Sequence, residues 1–233
     1  MNPRLKQLID QKRAWSEPMS AIDKERGFKG WYASGRLPHF DRSGLQQCVS
    51  YRLHDSMPWE RRAEWRALLE LEDDRLRIRK IEEYLDRGYG VGYLGDPRVA
   101  EIVQSNWWRH DGRRYRLLAW VIMPNHVHVL LEVWHVPLGQ IVQSWKSYSA
   151  KEANRVLHRQ GGFWSADYFD RYVRDEGHFR RVVRYIESNP VKAHLVRQPE
   201  HWRWSSARYR GMPGAVVPRL THPTATRSPL CED

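Results

Sequence analysis

The sequence predicts an α+β fold in which helices pack on an antiparallel sheet. Residues 46–53, QQCVSYRL, alternate apolar and polar side chains as a half-buried strand does. The apolar runs 115–123 and 126–134 are separated only by the turn dipeptide Pro124-Asn125, which predicts an antiparallel hairpin. Helical segments lie between and after these runs. The predicted order is therefore β-α-α-β-β-α-α, with one strand far in sequence from the other two.

The helices are predicted from apolar periodicity together with their start and stop signals. They span residues 58–86, 97–108, 137–159 and 175–188, followed by a short helix that begins at Pro190. The aromatic segment 163–173 is predicted to be irregular. We divide the chain into an irregular N-terminal arm at residues 1–45, a main domain at 46–210 and a C-terminal extension at 211–233. This extension is rich in Pro and Thr, which predicts disorder.

Charge and composition indicate an anionic partner. The chain of 233 residues has a net charge of +11, of which +3 falls in residues 1–100 and +8 in residues 101–233. Basic surfaces with interleaved aromatic rings suit nucleic acid, because cations neutralise phosphates while rings stack on bases. The alternative is a basic solvated surface over a core that contains the 12 Trp residues.

Two further features of the sequence bear on the compartment. No apolar run reaches the roughly 18 residues of a membrane span, and the N-terminus lacks the apolar core of a signal peptide. Cys48 and Cys231 lie too far apart in sequence to indicate a disulfide framework or a zinc cluster. We therefore expect a cytoplasmic protein without a membrane partner.

The segment 123-MPNHVHVLL-131 contains the first candidate site. His126 and His128 are two residues apart on a strand, so their side chains point to the same face and can converge on one metal ion. Two imidazoles leave positions for a third protein ligand and a substrate oxygen. The alternative is a pair of histidines on a half-exposed strand surface.

A second candidate group lies in 181-RVVRYIESNPVKAHLV-196. Tyr185 and Asn189 are four residues apart, which places both on one face of a helix. An Asn oxygen can ligate a metal, and a Tyr hydroxyl can attack a phosphate that the metal polarises. The alternatives are that Asn189 is an N-cap before Pro190 and that Tyr185 is a core aromatic.

Several motifs occur in a fixed order between about residues 36 and 210: MPNHVHVLL, PLGQIVQSWKSYSAKEAN, GGFWSADYFDRYVRDE, YIESNPVKAHLV and WRWSS. This series resembles the REP-associated tyrosine transposases, a branch of the single-tyrosine HUH transposases related to insertion-sequence transposases. The resemblance implies that residues 46–210 are a catalytic domain built on an HUH/ferredoxin-like palm. It also implies an enzyme that cleaves and rejoins single-stranded DNA hairpins, or REP-type palindromes, through a 5′-phosphotyrosine, leaving a free 3′-hydroxyl.

The resemblance implies a role for each candidate residue. His126 and His128 match the metal-binding pair, Asn189 the third ligand and Tyr185 the nucleophile. Imidazole and amide ligands, completed by phosphate oxygens, favour Mg²⁺ or Mn²⁺. A protein acting on DNA would be nucleoid-associated, and both a monomer and a homodimer agree with the sequence, with the tyrosine used in cis or in trans.

Six basic residues are candidates for contact with the DNA backbone: Lys146, Lys151, Arg171, Arg174, Arg181 and Arg184. Solvated helix faces are the alternative for all of them. Two other functions remain open at this point. One is a DNA-hairpin-binding protein of the same fold that no longer cleaves, and the other is an unrelated metallohydrolase that uses the H-x-H pair.

Overall fold

The structure is a computed structural model that describes residues 3–14, 16–34, 37–71 and 73–210. The predicted disordered tail at 211–233 lies outside the described residues. A four-stranded antiparallel sheet forms the centre of the fold, with helices on both faces, which confirms the predicted α+β class of helices packed on an antiparallel sheet. Its strands are β3 (Gln46–Arg52), β4 (Tyr115–Ile122), β5 (His126–Val133) and β6 (Phe169–Tyr172), which lie in the order β4-β5-β3-β6.

The predicted hairpin is β4 and β5, and the sequence-distant strand β3 pairs with β5 on its other side. β5 is therefore central and every one of its residues is buried. Its side chains alternate between the two faces, with Val127 and Val129 in one apolar core and Leu130 in another. The strand β6 falls in the segment predicted to be irregular. β6 is an edge strand of four half-buried residues. A strand this short has no alternating pattern of apolar residues by which the sequence could reveal it.

Two helices cover the first face of the sheet. They are α5 (Pro97–Trp108) and α6 (Leu138–Val156), close to the predicted spans. The Asp96 side chain caps α5 and Pro97 opens it, which is the arrangement that the sequence signals predict. Trp107 and Trp145 pack between the helices with ring centroids 6.0 Å apart.

The helix α7 (Glu176–Lys192) covers the second face of the sheet. Asp175 caps its N-terminus, and Phe179 and Ile186 pack on the sheet. The prediction that one helix stops at Ser188 and another begins at Pro190 is wrong. Pro190 lies inside the last turn of a continuous helix, which forgoes the backbone hydrogen bond that this residue cannot donate and continues to Lys192. Asn189 is therefore not an N-cap.

The segment predicted as one helix from 58 to 86 is instead two helices, α3 (Arg62–Glu70) and α4 (Asp74–Asp86). The chain leaves the helical conformation at Leu71. The break lets α4 fold back on α3, so that the rings of Trp65 and Tyr84 meet with centroids 5.3 Å apart. The sequence could not show this break, because both helices carry the same apolar stripe. α4 ends just before Arg87-Gly88, as predicted.

Residues 1–45, predicted to be irregular, contain regular structure in their described part. They form α1 (Pro3–Ala14), α2 (Ala21–Glu25) and a two-stranded sheet of β1 (Gly30–Ser34) and β2 (Leu37–Asp41). β2 lies beside β6, where His39 and Asp170 form a buried pair. Among the described residues, none of the helices combines the length and the apolar character that crossing a bilayer requires.

Candidate metal and nucleophile site

His126 is the first residue of β5, and the turn that precedes the strand fixes the orientation of its ring. Asn125 donates through Nδ2 to the carbonyl oxygens of Leu85, at 3.1 Å, and Tyr89, at 3.3 Å. This leaves the Asn125 Oδ1 atom facing His126 Nδ1 at 2.7 Å. Because an amide oxygen only accepts, the Nδ1 of His126 carries the proton and its Nε2 presents a lone pair. Asn125 belongs to the turn that the sequence predicts before β5, and its second role is to set this tautomer.

The ring of His128 is held from the neighbouring strand. Ser50 pairs with His128 in the β3–β5 register, and its Oγ lies 2.6 Å from His128 Nδ1. The Nε2 atoms of His126 and His128 are 3.1 Å apart. A hydroxyl both donates and accepts, so Ser50 supports either tautomer of His128. With the proton on Nδ1, both Nε2 lone pairs face one point, as two ligands of a common cation do.

Burial keeps both imidazoles in the metal-binding form. Each histidine is 1% exposed. Burial lowers the pKa of His126 to about 3, and burial together with the neighbouring His126 lowers the pKa of His128 well below its usual value. Neutral imidazole is the form that ligates a cation, and it is the form present at neutral pH.

The helix α7 brings both of its predicted site residues to this point. The Tyr185 hydroxyl lies 3.5 Å from His128 Nε2, and the two rings meet edge to face with centroids 5.3 Å apart. Asn189 is fully buried one turn further on, and apart from a weak contact with the Tyr185 hydroxyl neither polar atom of its side chain has a hydrogen-bond partner among the described residues. A buried amide without partners is costly unless something else binds it.

Two carboxyl groups that the sequence analysis did not single out border the same point. Glu82 and Asp86 lie one turn apart on α4; the Glu82 carboxyl adjoins the Tyr185 hydroxyl, and Asp86 Oδ1 is 4.0 Å from His126 Nε2. Burial raises the pKa of Glu82 to about 7 and that of Asp86 to about 6. Burial, followed by these two carboxyl groups, raises the pKa of the Tyr185 phenol far above its usual value.

These residues fit a divalent cation. A desolvated site with two lone-pair nitrogens, an unpartnered amide and nearby carboxyl groups lacks positive charge, and a cation would supply it. Within the described part of the chain, no three His, Cys, Asp or Glu side chains are grouped so that they could hold a metal by themselves. A site of this kind depends on the Asn189 amide and leaves positions open for a substrate, which is the property of a catalytic metal site.

A cleft of about 340 Å³ opens beside the site. Ser50 and Glu82, which contact the site residues, also line the cleft, so the two are continuous. Basic and aromatic side chains make up much of the remaining wall: Lys12, Trp31, Phe40, Arg77, Arg171, Tyr172 and Arg174. This combination suits a single strand of nucleic acid, whose backbone is anionic and whose bases stack.

The six predicted DNA contacts fall in different places. Arg171 and Arg174 line the cleft, which places them beside the site. Arg181 and Arg184 are exposed on α7, and Lys151 is exposed on α6.

Lys146 is half-buried, and its ammonium donates to the carbonyl oxygens of Ser165, at 2.6 Å, and Ala166, at 2.7 Å. Burial lowers its pKa to about 8. These two hydrogen bonds connect α6 to the segment that follows it.

Sequence reasoning missed four residues of the site. Ser50 and the two α4 carboxyl groups reach it only through the pairing of distant segments, so no local signal marks them. Lys192 carries such a signal, because it lies on α7 seven residues after the tyrosine. Its ammonium lies 4.5 Å from the centre of the Tyr185 ring.

Comparison with known proteins connects this geometry to a family. Residues 96–189 match the family described as IS200-like transposases. A REP-associated tyrosine transposase of Escherichia coli strain K12 is 28% identical over 96 residues, which are 40% of this chain and 55% of the relative. A similarly named protein of Haemophilus influenzae is 24% identical over 103 residues, or 58% of its length.

The chain thus spans about half the length of the curated relatives that it matches. A solved structure of a REP-associated tyrosine transposase bound to a REP hairpin aligns over 84% of this chain and 100% of the other, with a TM-score of 0.47 and 16% identity. The resemblance to the REP-associated tyrosine transposases that the sequence motifs predict is confirmed, and residues 96–189 are similar to the IS200-like transposases.

Proposed function

We propose that this protein is a metal-dependent transposase that cleaves and rejoins single-stranded DNA through a covalent 5′-phosphotyrosine. The observation that carries the proposal is the position of the Tyr185 hydroxyl, 3.5 Å from His128 Nε2 and on the same helix face as the buried Asn189. A nucleophile and a third ligand type on α7 meet a pair of metal-ligand nitrogens on β5, two segments that are distant in sequence. A structural core has no need of that arrangement.

His126, His128 and Asn189 would hold the cation, Mg²⁺ or Mn²⁺. When bound, the cation polarises a phosphate oxygen and stabilises negative charge at the reacting oxygens. Tyr185 is protonated in this desolvated setting, so the phenol must lose its proton as the attack proceeds. The adjacent Glu82 carboxyl, whose pKa burial raises to about 7, is placed to accept that proton.

The chemical step conserves the phosphodiester bond energy. The Tyr185 oxygen forms a bond to phosphorus, the bond from phosphorus to the 3′ oxygen breaks, and its electron pair leaves with that oxygen, which takes a proton. The products are a 5′-phosphotyrosine and a free 3′-hydroxyl, which can reverse the step on the same or another strand. No nucleotide cofactor enters this balance.

The DNA partner we propose is a single-stranded hairpin, with the backbone near the scissile phosphate in the cleft that Arg171 and Arg174 line. Lys151, Arg181 and Arg184 are exposed and remain predicted backbone contacts. The tyrosine and the histidine pair adjoin within one chain, which supports cleavage in cis by a monomer. Such an enzyme would work on DNA in the cytoplasm, at the nucleoid.

The test is the formation of a covalent adduct. A labelled single-stranded hairpin incubated with the full chain and Mn²⁺ should give an adduct that survives denaturing electrophoresis. Tyr185→Phe should give none, because the substitution removes only the attacking oxygen. Tyr148→Phe is the matched control: it removes the same atom from an exposed tyrosine on α6 and should leave adduct formation unchanged.

The other outcomes identify the alternatives. Wild-type protein that binds the hairpin without forming an adduct is a DNA-binding module of the same fold. Zinc-dependent hydrolysis of a small ester that Tyr185→Phe leaves intact is a metallohydrolase. An adduct that persists in Tyr185→Phe removes the assignment of the nucleophile.

A further inference from the structure

The carboxyl group of Asp86 has a position that the proposed reaction does not yet explain. Asp86 is the last residue of α4, and its Oδ1 lies 4.0 Å from His126 Nε2. This oxygen is buried and has no hydrogen-bond partner in the described part of the chain. Lys192 is a nearby positive charge, but burial outweighs its effect on the carboxyl group.

The two facing atoms are both electron-pair donors. His126 Nδ1 donates its proton to Asn125 Oδ1, so His126 Nε2 presents a lone pair. Asp86 Oδ1 therefore faces a nitrogen that cannot donate to it, and 4.0 Å is too long for a direct hydrogen bond in either direction. The fully buried Asn189 amide on α7 is a second polar group without a well-formed hydrogen bond to the residues that the structure describes. A cation would be a common partner for these atoms.

The separations suit side chains that would hold one small divalent cation. Metal–ligand bonds of about 2.1 Å keep two ligands of the same cation within about 4.2 Å of each other. The distance from His126 Nε2 to His128 Nε2 is 3.1 Å, and that from His126 Nε2 to Asp86 Oδ1 is 4.0 Å. We propose that Asp86 is a fourth protein ligand of the cation and that it biases the site towards hard cations. This inference rests on the proposed metal site.

The bias has a chemical reason. Imidazole suits Zn²⁺, Ni²⁺ and Cu²⁺, whereas carboxylate and carbonyl oxygens suit Mg²⁺ and Mn²⁺. With Asp86 the site offers two nitrogens and two oxygens. Without Asp86 the protein ligands are two nitrogens and one oxygen, so nitrogen ligands predominate. Removal of the carboxylate should therefore weaken Mn²⁺ binding more than Zn²⁺ or Ni²⁺ binding.

The test measures metal binding directly, with the full chain and without DNA. Free Mn²⁺ is followed by electron paramagnetic resonance, and Ni²⁺ binding by calorimetry, for wild type, Asp86→Ala and Asp86→Asn. We expect Mn²⁺ affinity to fall at least about tenfold in Asp86→Ala and Ni²⁺ affinity to fall by a smaller factor. Glu83→Gln is the matched control, because Glu83 is a more exposed carboxyl on the same helix, paired with Lys80, and should bind both metals as wild type does.

Thermal unfolding in EDTA separates a ligand from a structural residue. Asp86→Asn should unfold at the same temperature as wild type or higher, because it removes a buried charge that lacks a partner. Asp86→Asn also replaces Asp86→Ala in the metal titrations if the alanine variant does not fold. Equal losses of Mn²⁺ and Ni²⁺ affinity together with lower stability in EDTA would mean that Asp86 only positions the site, and would overturn the proposal.

Two results distinguish this inference from the proposed function. If both Asp86 variants bind Mn²⁺ with wild-type affinity while His128→Ala does not, Asp86 is not a ligand and the proposed reaction stands. If wild type neither binds Mn²⁺ nor forms a DNA adduct, the proposed function fails and this inference fails with it.

Discussion

The two faces of the central sheet carry out different tasks, although they share the same strands. On the face covered by α5 and α6, Val127 and Val129 enter an apolar core. On the face covered by α7, His126 and His128 occupy the alternate positions of the same strand. A strand buried on both faces normally reads as a continuous apolar run. In β5 the two histidines depart from this rule, and both lie on the face that α7 covers.

Hydrogen bonding differs between the faces in the same way. On the α5 and α6 face, Trp107 donates to the Tyr51 hydroxyl at 3.0 Å, and Trp145 donates to the Tyr115 hydroxyl at 2.8 Å. Among the described residues, buried side-chain atoms without a good hydrogen bond occur on both faces: N–H groups of Gln104, Trp108 and Trp120 on the first, and Asn189 and Asp86 Oδ1 on the α7 face. The comparison teaches that the α7 face groups oxygen atoms with two imidazole lone pairs, a combination that a bound cation would satisfy, whereas these N–H groups of the other face are donors that cannot bind a cation.

The largest effect on stability should come from the first face. Trp145→Ala removes a 1% exposed indole and leaves a cavity between α5 and α6, so we expect a loss of about 3–5 kcal/mol in the free energy of unfolding. Urea unfolding in EDTA measures it. Mn²⁺ affinity of the folded variant should stay close to wild type; a large loss would show that the two faces are not independent.

The largest effect on metal binding should come from the second face. His128→Ala removes one of two nitrogen ligands, and we expect Mn²⁺ affinity to fall at least about 100-fold, with loss of adduct formation. Its stability in EDTA should fall less than that of Trp145→Ala. The control is Val129→Ala, the next residue on the opposite face, which should lower stability and leave Mn²⁺ affinity unchanged. If Val129→Ala weakened Mn²⁺ binding and His128→Ala did not, the two faces would not have separate roles.

A smaller effect is expected at Ser50, which holds the His128 ring without contacting substrate. Ser50→Ala removes the hydrogen bond to Nδ1, so we expect Mn²⁺ affinity to fall about 10–100-fold, as for other partners of metal ligands. Ser149→Ala provides the matched control. Ser149 is a buried serine on α6 that bonds to Trp145 and Trp164, and its loss should not change Mn²⁺ binding.

The smallest effect should come from single contacts in the cleft. Arg171→Gln should weaken hairpin binding several-fold and reduce the salt dependence of binding by about one phosphate contact. Fluorescence anisotropy at several salt concentrations measures both quantities. Arg113→Gln removes an exposed arginine from the turn before β4 and should change neither. Equal effects of the two variants would mean that the cleft is not the DNA path.

Local signals predicted most of the fold. The hairpin, α5 and α6 emerged almost at their observed bounds, because periodicity and capping residues are properties of neighbouring residues. The break at Leu71 and the strand β6 were missed, since each depends on what packs against the segment. The continuous α7 was missed because proline is a helix breaker by its local chemistry, whereas α7 runs through Pro190 to Lys192 and forgoes one backbone hydrogen bond.

The sequence by itself determined which side chains can do the chemistry. The spacing of two along a strand puts His126 and His128 on one face, and the spacing of four along a helix does the same for Tyr185 and Asn189. Only the tertiary structure decided that these two faces meet, that Ser50 holds a ring from the next strand and that Asp86 borders the site. Periodicity acts within one element, whereas a site of this kind is formed by elements that pairing and packing bring together across long stretches of chain.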